Sequence, residues 1–590
     1  MSENKPTNIK AIPGFSLFDL LSFYWIILTI IFLTLAFFDL FKKSLLVITI
    51  VVLTTIGFFL IKKKILLILP FNKEEKRVFF IIIFFSLLLS FFITPTIFGG
   101  RDEGSFSNAA IMLSKDGTLT HNDSLAKTLH KLYGTGRALN FPGFNYTDSG
   151  SLKSQFLPGY IVWLGAFFNL GGLIALKIVN FIPLITLIFS FYLVNKNFLS
   201  NKIAIHSTAI FATVSPLIIL NKFTLTEIFF AALIWFSLYL LLRYLKHKTY
   251  LNYWLIALPL FLAIFVRIET IAIIFTLFLV ILLFDFTNLR KAKYQLPFFL
   301  LGILLFTAIT FNPSFFAENI KGIAKNSVPF VFEKLNQLNQ AGNQNSSALP
   351  SESDWTNFYL LKVFSNYHLL IWFLLTIVAI PYLFKKKRWS ILIPFFLFSP
   401  TLIYLLDANI SLDHPWMLRR FIFSLIPLSI FYGMFILDKI KYKKIYSAII
   451  VFILFTNLWQ SIPFAFKAQN KNLLTNLNSL AKEFSNNDLV LVSQKATSSG
   501  WLLLSEPLRN ISGIPAVYFF RPSDLHDLKN NYSNIYLLVN PVELDLFKEF
   551  PKQLIKEIEL NNQTIPPSRD PLKKPQWQTF RTKLILYKLD

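Results

Sequence analysis

Long apolar runs alternate with short basic links along this chain, and three polar segments interrupt the alternation. Runs of spanning length, or nearly so, occupy roughly 19–40, 44–61, 78–94, 174–194, 202–220, 224–243, 251–266, 268–285, 295–312, 357–383, 390–406, 420–437 and 444–461. A helix closes its backbone hydrogen bonds internally, so apolar runs of this length predict helices crossing a bilayer, about 13 in all. The polar segments are Thr96–Gln155, Asn312–Trp355 with its Asn/Gln/Ser-rich stretch Asn336–Ser353, and a tail from about Ala465 to Asp590. In the tail, Leu473–Phe484 has helical spacing. Short apolar runs follow at Leu489–Val492, Ala516–Phe520, Ile535–Val539 and Leu584–Leu589, each bounded by turn residues. The expected fold is therefore an α-helical polytopic membrane protein with a small C-terminal α/β extracytoplasmic domain. It divides into N-terminal transmembrane helices (1–95), a first large external loop (96–155), a transmembrane core (156–464) with a second external loop (312–355), and the soluble domain (465–590).

The basic residues orient this plan. Lys62–Lys64 with Lys73, Lys76 and Arg77, then Lys196/Lys202, Arg243/Lys246/Lys248, Arg290/Lys291/Lys293, Lys385–Arg388 and Lys439/Lys441/Lys443/Lys444 all share one side. The positive-inside rule makes that side cytoplasmic, with the N-terminus inside and the C-terminal domain outside an inner membrane. Lys42/Lys43 and Arg419/Arg420 fall on the other side. The stretch 156–170 decides the count, because a full crossing there would invert every later cluster. It is read as a re-entrant or surface-lying helix. The segment Met1–Ser16 is polar and lacks the pattern of a cleaved signal peptide.

Composition agrees with the membrane class: 54% of the 590 residues are hydrophobic and only 15% charged. The formal net charge of +25 does not point to nucleic acid, since the basic residues lie mainly in the short links, where they anchor topology. The absence of cysteine excludes disulfides, thiolate metal sites and Cys nucleophiles. No HExxH spacing and no Walker-type phosphate loop occurs, which argues against a nucleotide-driven pump.

Chemistry is best placed at Gly99-Gly100-Arg101-Asp102-Glu103-Gly104, at the membrane boundary after the third run. Adjacent carboxylates there suit a general base or a divalent cation, with Asp102 and Glu103 as the candidate ligands; in isolation, such a pair reads first as a solvated turn, and its place in a wider pattern is what changes this. Further along come Gln155-Phe-Leu-Pro-Gly-Tyr160, Ser215-Pro216, Asn221-Lys-Phe-Thr-Leu-Thr-Glu227 and Arg267-Ile-Glu269. Arg267, Arg419 and Arg420 suit phosphate oxygens, whereas the plainer readings are an Arg267–Glu269 pair and interfacial helix anchors. Asp413, His414 and Trp416 are candidates for sugar or metal contact, with structural packing the simpler reading.

In their order and spacing these motifs resemble the GT-C superfamily of polytopic glycosyltransferases, in particular the bacterial branch related to protein mannosyltransferases and aminoarabinose transferases. In that family an Asp-Glu pair opens the first external loop. A Pro-containing return segment, a Ser-Pro span, a link ending in an acid and an Arg-x-Glu between spans then follow. The resemblance covers roughly residues 78–290 by pattern and the rest by architecture. It implies Asp102 as catalytic base or metal-proximal acid, Glu103 as its partner and Glu227 as a second acid. It also implies a polyprenyl-phosphate-linked sugar donor, an extracytoplasmic acceptor (glycan, lipid or protein), membrane lipid contact and inverting hexosyl or pentosyl transfer. Candidate substrate-binding residues are Arg101, Lys153, Gln155, Arg267, Glu269, Asp413, His414 and Arg420. The chain departs from the family in having Gln155-Phe-Leu-Pro158 where Lys-Pro-Pro is common, so a phosphate-binding lysine lacks a clean counterpart, Lys153 being the nearest. Three rivals remain: a transporter or flippase, a polysaccharide polymerase or ligase, and a non-catalytic scaffold in which Asp102 and Glu227 are silent.

Overall fold

The computed structural model describes residues 14–63, 68–322, 359–406, 408, 410–496, 502–528 and 532–589. The stretch Asn336–Ser353, residues 323–355 of the second loop, residues 1–13, Lys64 and Asp407 lie outside the described residues.

The N-terminal part is three apolar helices, α1 (Leu17–Phe37), α2 (Lys43–Lys62) and α3 (Lys73–Phe91). Ser16 with Asp19, and Asn72 with Glu75, form reciprocal capping boxes that start α1 and α3 by satisfying orphan backbone N–H groups. The loop that follows folds into α4 (Asp102–Asp116), α5 (Ser124–Tyr133) and a four-stranded sheet of two- and three-residue strands. The core continues with α6 (Pro158–Leu176), α7 (Phe181–Phe198), α8 (Asn201–Thr213), α9 (Ser215–Leu220), α10 (Thr226–His247), α11 (Tyr250–Ala263), α12 (Glu269–Leu289), α13 (Ala292–Phe311) and α14 (Pro313–Gly322). After the second loop come α15 (Tyr359–Asn366), α16 (Leu370–Lys385), α17 (Ile393–Phe398), α18 (Arg419–Ile422), α19 (Leu425–Leu437) and α20 (Lys443–Ala465).

Among the described residues, eight helices are long and apolar enough to cross a membrane, or up to ten if each bent pair is one span. The sequence pattern suggested about 13. The difference lies in runs that are apolar throughout but not continuous as helices. The run 202–220 breaks at Val214, whose extended backbone precedes Ser215-Pro216; proline has no N–H to continue the ladder. The run 357–383 bends by 113° between α15 and α16, and 420–437 bends by 58° before α19.

Ion pairs sort the helix ends. Arg243 meets Asp19 at 3.0 Å, Lys196 meets Glu75 at 2.5 Å and Lys248 meets Asp285 at 3.1 Å. The starts of α1 and α3 thus share one end of the bundle with the ends of α7, α10 and α12, where the basic clusters gather. The opposite end carries α4, the start of α10, the α11–α12 link and α18. Helix α6 has the length and composition of a span, but its contacts keep it at that opposite end. Tyr160 and Trp163 donate to Asn180 and Val179, at the start of α7, and Gly165 accepts from Ser114 of α4. The chain turns back at Gly171–Gly172, where Gly172 has φ 61°. The segment leaves and returns to one end of the bundle.

The tail forms α21 (Leu473–Ala481), α22 (Ser505–Ser512) and a five-stranded mixed sheet. Its central strand, Asn534–Val539, pairs parallel with Asp488–Ser493, which pairs parallel with Ala516–Phe519 at one edge; Gln578–Leu589 and then Lys552–Thr564 extend the other side antiparallel. The last-named strand escaped the sequence pattern because most of its residues are polar and exposed at the sheet edge. This domain sits on the end of the bundle that carries α4. Leu503 N–H donates to Phe98 O at 2.8 Å, Asn510 donates to Asn108 at 3.0 Å, and His414 and Ser568 exchange backbone hydrogen bonds. The fold is a polytopic helical membrane protein with a small C-terminal α/β domain.

Candidate functional site

The motif Gly99–Gly104 closes on itself before it presents its acids. A Cβ on Gly104 would lie 1.8 Å from the carbonyl oxygen of Gly99, so only glycine allows this turn to pack against the first turn of α4. Asp102 and Glu103 begin that helix, where the aligned N–H groups favour negative charge. Thr224 ties the turn to the link before α10, since its hydroxyl donates to Glu103 O at 2.9 Å and meets Ser107 at 2.7 Å. Asn180 holds the same link through the carbonyls of Asn221 and Phe223.

Four segments then meet in one chain of charges. Asp102 accepts from Arg419 Nη1 at 2.6 Å, and Arg419 Nε donates to Glu227 Oε1, also at 2.6 Å. The same Glu227 oxygen accepts from Arg267 at 2.6 Å, and Arg267 grips Glu269 in a two-pronged pair at 2.6 and 3.1 Å. Tyr404 at 2.7 Å and Arg420 at 3.2 Å complete the shell of Glu269. Beside this chain, Arg101 pairs with Asp413 at 2.5 Å. The guanidinium carbons of Arg101 and Arg419 lie 4.9 and 4.8 Å from the centre of the Trp416 ring, a cation–π arrangement. Opposite charges alternate throughout, as they must where ions are withdrawn from water.

Accessibility differs sharply along the chain. The Asp102 side chain is 36% exposed, Arg420 16% and Arg101 13%, whereas Glu227 is wholly buried and Arg267 and Glu269 nearly so. Of the sequence-derived candidates, Asp102, Arg101, Glu227, Arg267, Glu269, Asp413 and Arg420 thus come together. Glu227, which the resemblance implied as a second acid, is enclosed between two arginines. Arg267 is committed to Glu227 and Glu269 and is not presented to an incoming phosphate. Glu103 is turned away from Asp102, and burial raises its carboxyl to about 7.

The remaining candidates lie elsewhere. Lys153 donates to the carbonyl of Phe311 at the end of α13 and lies 3.8 Å from that ring's centre. The main chain of Gln155 accepts from Asn312 at 3.2 Å. His414 is buried in the seam with the C-terminal domain, its ring nitrogens engaged by Tyr367 at 3.0 Å and the carbonyl of Asp570 at 2.7 Å. It therefore packs as a structural residue and is not open to a sugar or a metal. A divalent cation fits the observed donors poorly. Among the described residues no group of three or more His, Cys, Asp or Glu converges, and Asp102 already faces Arg419 while Glu103 points away. Tyr404 belongs to no motif, so sequence reasoning did not find it; Thr224 lies in the Asn221–Glu227 motif, but its hydroxyl contacts were not legible there, and the Arg419–Arg420 doublet was the signal that α18 carries chemistry.

No protein-family model matches the chain, and no curated protein matches it. Among solved structures, ArnT from Cupriavidus metallidurans bound to undecaprenyl phosphate aligns over 87% of this chain and 97% of its own, at 11% identity and a TM-score of 0.47. The same protein in the apo state gives 86%, 97%, 11% and 0.48. The Archaeoglobus fulgidus oligosaccharyltransferase in complex with zinc and sulfate aligns over 79% of this chain and 68% of its own, at 13% identity and 0.48. At these scores the functional reading rests on the residues of the chain itself.

Proposed function

We propose that the protein is a membrane glycosyltransferase that moves a sugar from a polyprenyl-phosphate-linked donor to an acceptor hydroxyl at the end of the bundle carrying the C-terminal domain. The observation that carries this reading is the charge chain from Glu269 to Asp102. Its inner members are sealed, and its outer member is a carboxylate that reaches solvent. The basic clusters gather at the opposite end, which under the positive-inside rule supports a site outside an inner membrane.

The chemistry follows from which groups are accessible. Asp102 takes the proton of the acceptor hydroxyl as that oxygen attacks the anomeric carbon. The bond from that carbon to the phosphate oxygen breaks, both electrons leave with the phosphate, and a single displacement inverts the configuration. Arg420 and Arg101, the partly exposed guanidiniums, meet the charge that develops on the phosphate. Arg419 holds Asp102 in place, while Glu227 and Arg267 act through Arg419 as positioning residues. No step is routed through a metal.

The test uses purified protein in proteoliposomes with polyprenyl-monophosphate sugars and, in parallel, diphosphate-linked oligosaccharides. Transfer from the monophosphate donors, lost in Asp102→Asn at unchanged melting temperature, is the expected result. An active Asp102→Asn protein removes this carboxylate from the mechanism, and transfer from diphosphate donors alone favours a polymerase or ligase.

A further inference from the structure

From Ser568, where it pairs with His414, the C-terminal domain sends a strap, Asp570–Trp577, out to the perimeter of the bundle before its last strand begins. Both ends of the strap are fastened to helix ends. Asn366, which closes α15, donates to Pro571 O at 3.3 Å, and Trp577 Nε1 donates at 2.8 Å to Pro463 O in the last turn of α20. Gln460 of α20 in turn donates to Asn366 O at 2.7 Å, so the two fastenings rest on neighbouring helices. Helix α20 has the length and composition of a span, and Trp459, Ile462 and Pro463 are exposed on it, Trp459 at 75%. In a bilayer such a surface meets acyl chains, and a tryptophan near a helix end sits at head-group level. The strap is thus laid along the membrane boundary, at the end of the bundle that carries the C-terminal domain.

The residues of the strap suit that place. Asp570 accepts from the N–H of Leu572 with its carboxylate at 3.0 Å and from that of Lys573 with its carbonyl at 3.2 Å, which sets a tight turn. Leu572 stands 66% exposed on this turn, and Lys573 and Lys574, also exposed, follow it. Lys467 adds a third ammonium, 5.7 Å from the centre of the Trp577 ring. A single exposed leucine is ordinary on a soluble surface. Here it continues the lipid-facing side of α20 and is followed directly by two cations, the pattern of a segment that lies in an interface. Leucine gains by leaving water for acyl chains, while lysine stems reach up to head-group phosphates. The basic clusters that orient the bundle lie at its opposite end, so topology does not account for these three lysines. Anionic phosphates do.

We infer that the strap is a membrane-docking surface: Leu572 enters the leaflet beside α20, and Lys467, Lys573 and Lys574 meet the phosphates of anionic phospholipids. The C-terminal domain is then held to the bilayer as well as to the bundle. Such docking is independent of sugar transfer and stands or falls apart from it.

The chain has no cysteine, so a nitrobenzoxadiazole label on Leu572→Cys reports on this position alone. In nanodiscs of mixed phosphatidylcholine and phosphatidylglycerol, blue-shifted emission quenched by brominated acyl chains is expected. Quenching should fall about two-fold or more in phosphatidylcholine alone and in the protein that also carries Lys573→Gln and Lys574→Gln. Water-like emission without quenching overturns the docking, and equal quenching under all three conditions overturns the phosphate contact. Hydrogen exchange of the unlabelled protein, where no dye can drive insertion, supplies the second measurement. Amides of Leu572, Lys573 and Lys574 are expected to exchange about three-fold more slowly in the mixed-lipid nanodiscs than in phosphatidylcholine alone; equal rates overturn the inference.

Discussion

At the end of the bundle that gathers the basic clusters, Arg243 meets Asp19, Lys196 meets Glu75 and Lys248 meets Asp285, each as a separate pair. At the other end, Asp102, Glu227 and Glu269 share Arg419, Arg267 and Arg420 in one continuous chain. The lysines of the first group keep much of their surface in water, Lys248 being 48% exposed, whereas Glu227 keeps none. Separate pairs join helix ends two at a time, so the loss of one leaves the others intact. A dry chain makes every member depend on its neighbours, and it delivers one carboxylate to solvent in a set position. Charge placed where water could have served it better, and still retained, marks a functional suspect.

Substitutions at the two ends break or sharpen this contrast. The largest effect is expected from Asp102→Asn. Loss of a general base costs roughly 10²–10⁴-fold in rate, read by radiolabelled sugar transfer, with little change in thermal melting because the side chain is partly exposed. Glu227→Gln comes next. It removes the carboxylate that Arg267 and Arg419 share and leaves one buried positive charge in excess; removing one partner of a buried pair costs about 3–5 kcal/mol. Both melting temperature and transfer should fall; a Glu227→Gln protein as stable as the wild type would show that the chain is not an energetic unit.

The third prediction concerns pH. Burial holds the folded Glu103 carboxyl at about 7, against an ordinary value of 4.5. The folded state therefore retains a proton that the unfolded state releases. Stability from this group is complete below pH 4.5 and is lost as pH rises to 7, by an amount on the order of 3 kcal/mol. Glu103→Gln stays neutral and should flatten that fall in melting curves taken across the window; an unchanged slope would place the titration elsewhere. The smallest effect belongs to the other end. Lys196→Met removes one partly exposed pair and should cost no more than about 1 kcal/mol, with transfer intact. A loss as large as that of Glu227→Gln would erase the distinction between the ends.

Much of this was legible without coordinates. The apolar runs located the membrane helices, the spacing in the tail located its first helix and four of its strands, and the basic links sorted the helix ends. These signals are local, because hydrophobic length, strand alternation and interfacial charge act on each segment separately. The reading of 156–170 as a re-entrant or surface-lying helix came from the charge pattern, and the contacts of Tyr160, Trp163 and Gly165 place these residues beside the start of α7 and α4. The breaks at Val214 and before α16 and α19 were hidden, since hydropathy records where a chain is apolar and not whether its backbone stays helical.

The site divides in the same way. Short motifs marked Asp102, Glu227, Arg267 and Glu269 as ionisable residues at the boundaries of apolar runs, and hence as costly to bury. Their pairing needed the folded molecule, because Asp102 and Arg419 are 317 residues apart and Glu227 and Arg419 are 192. Composition and periodicity determine where each segment prefers to sit. Which charge neutralises which, which carboxylate reaches water and which histidine is walled into a seam depend on how distant segments pack, and that packing is encoded in no single stretch of the chain.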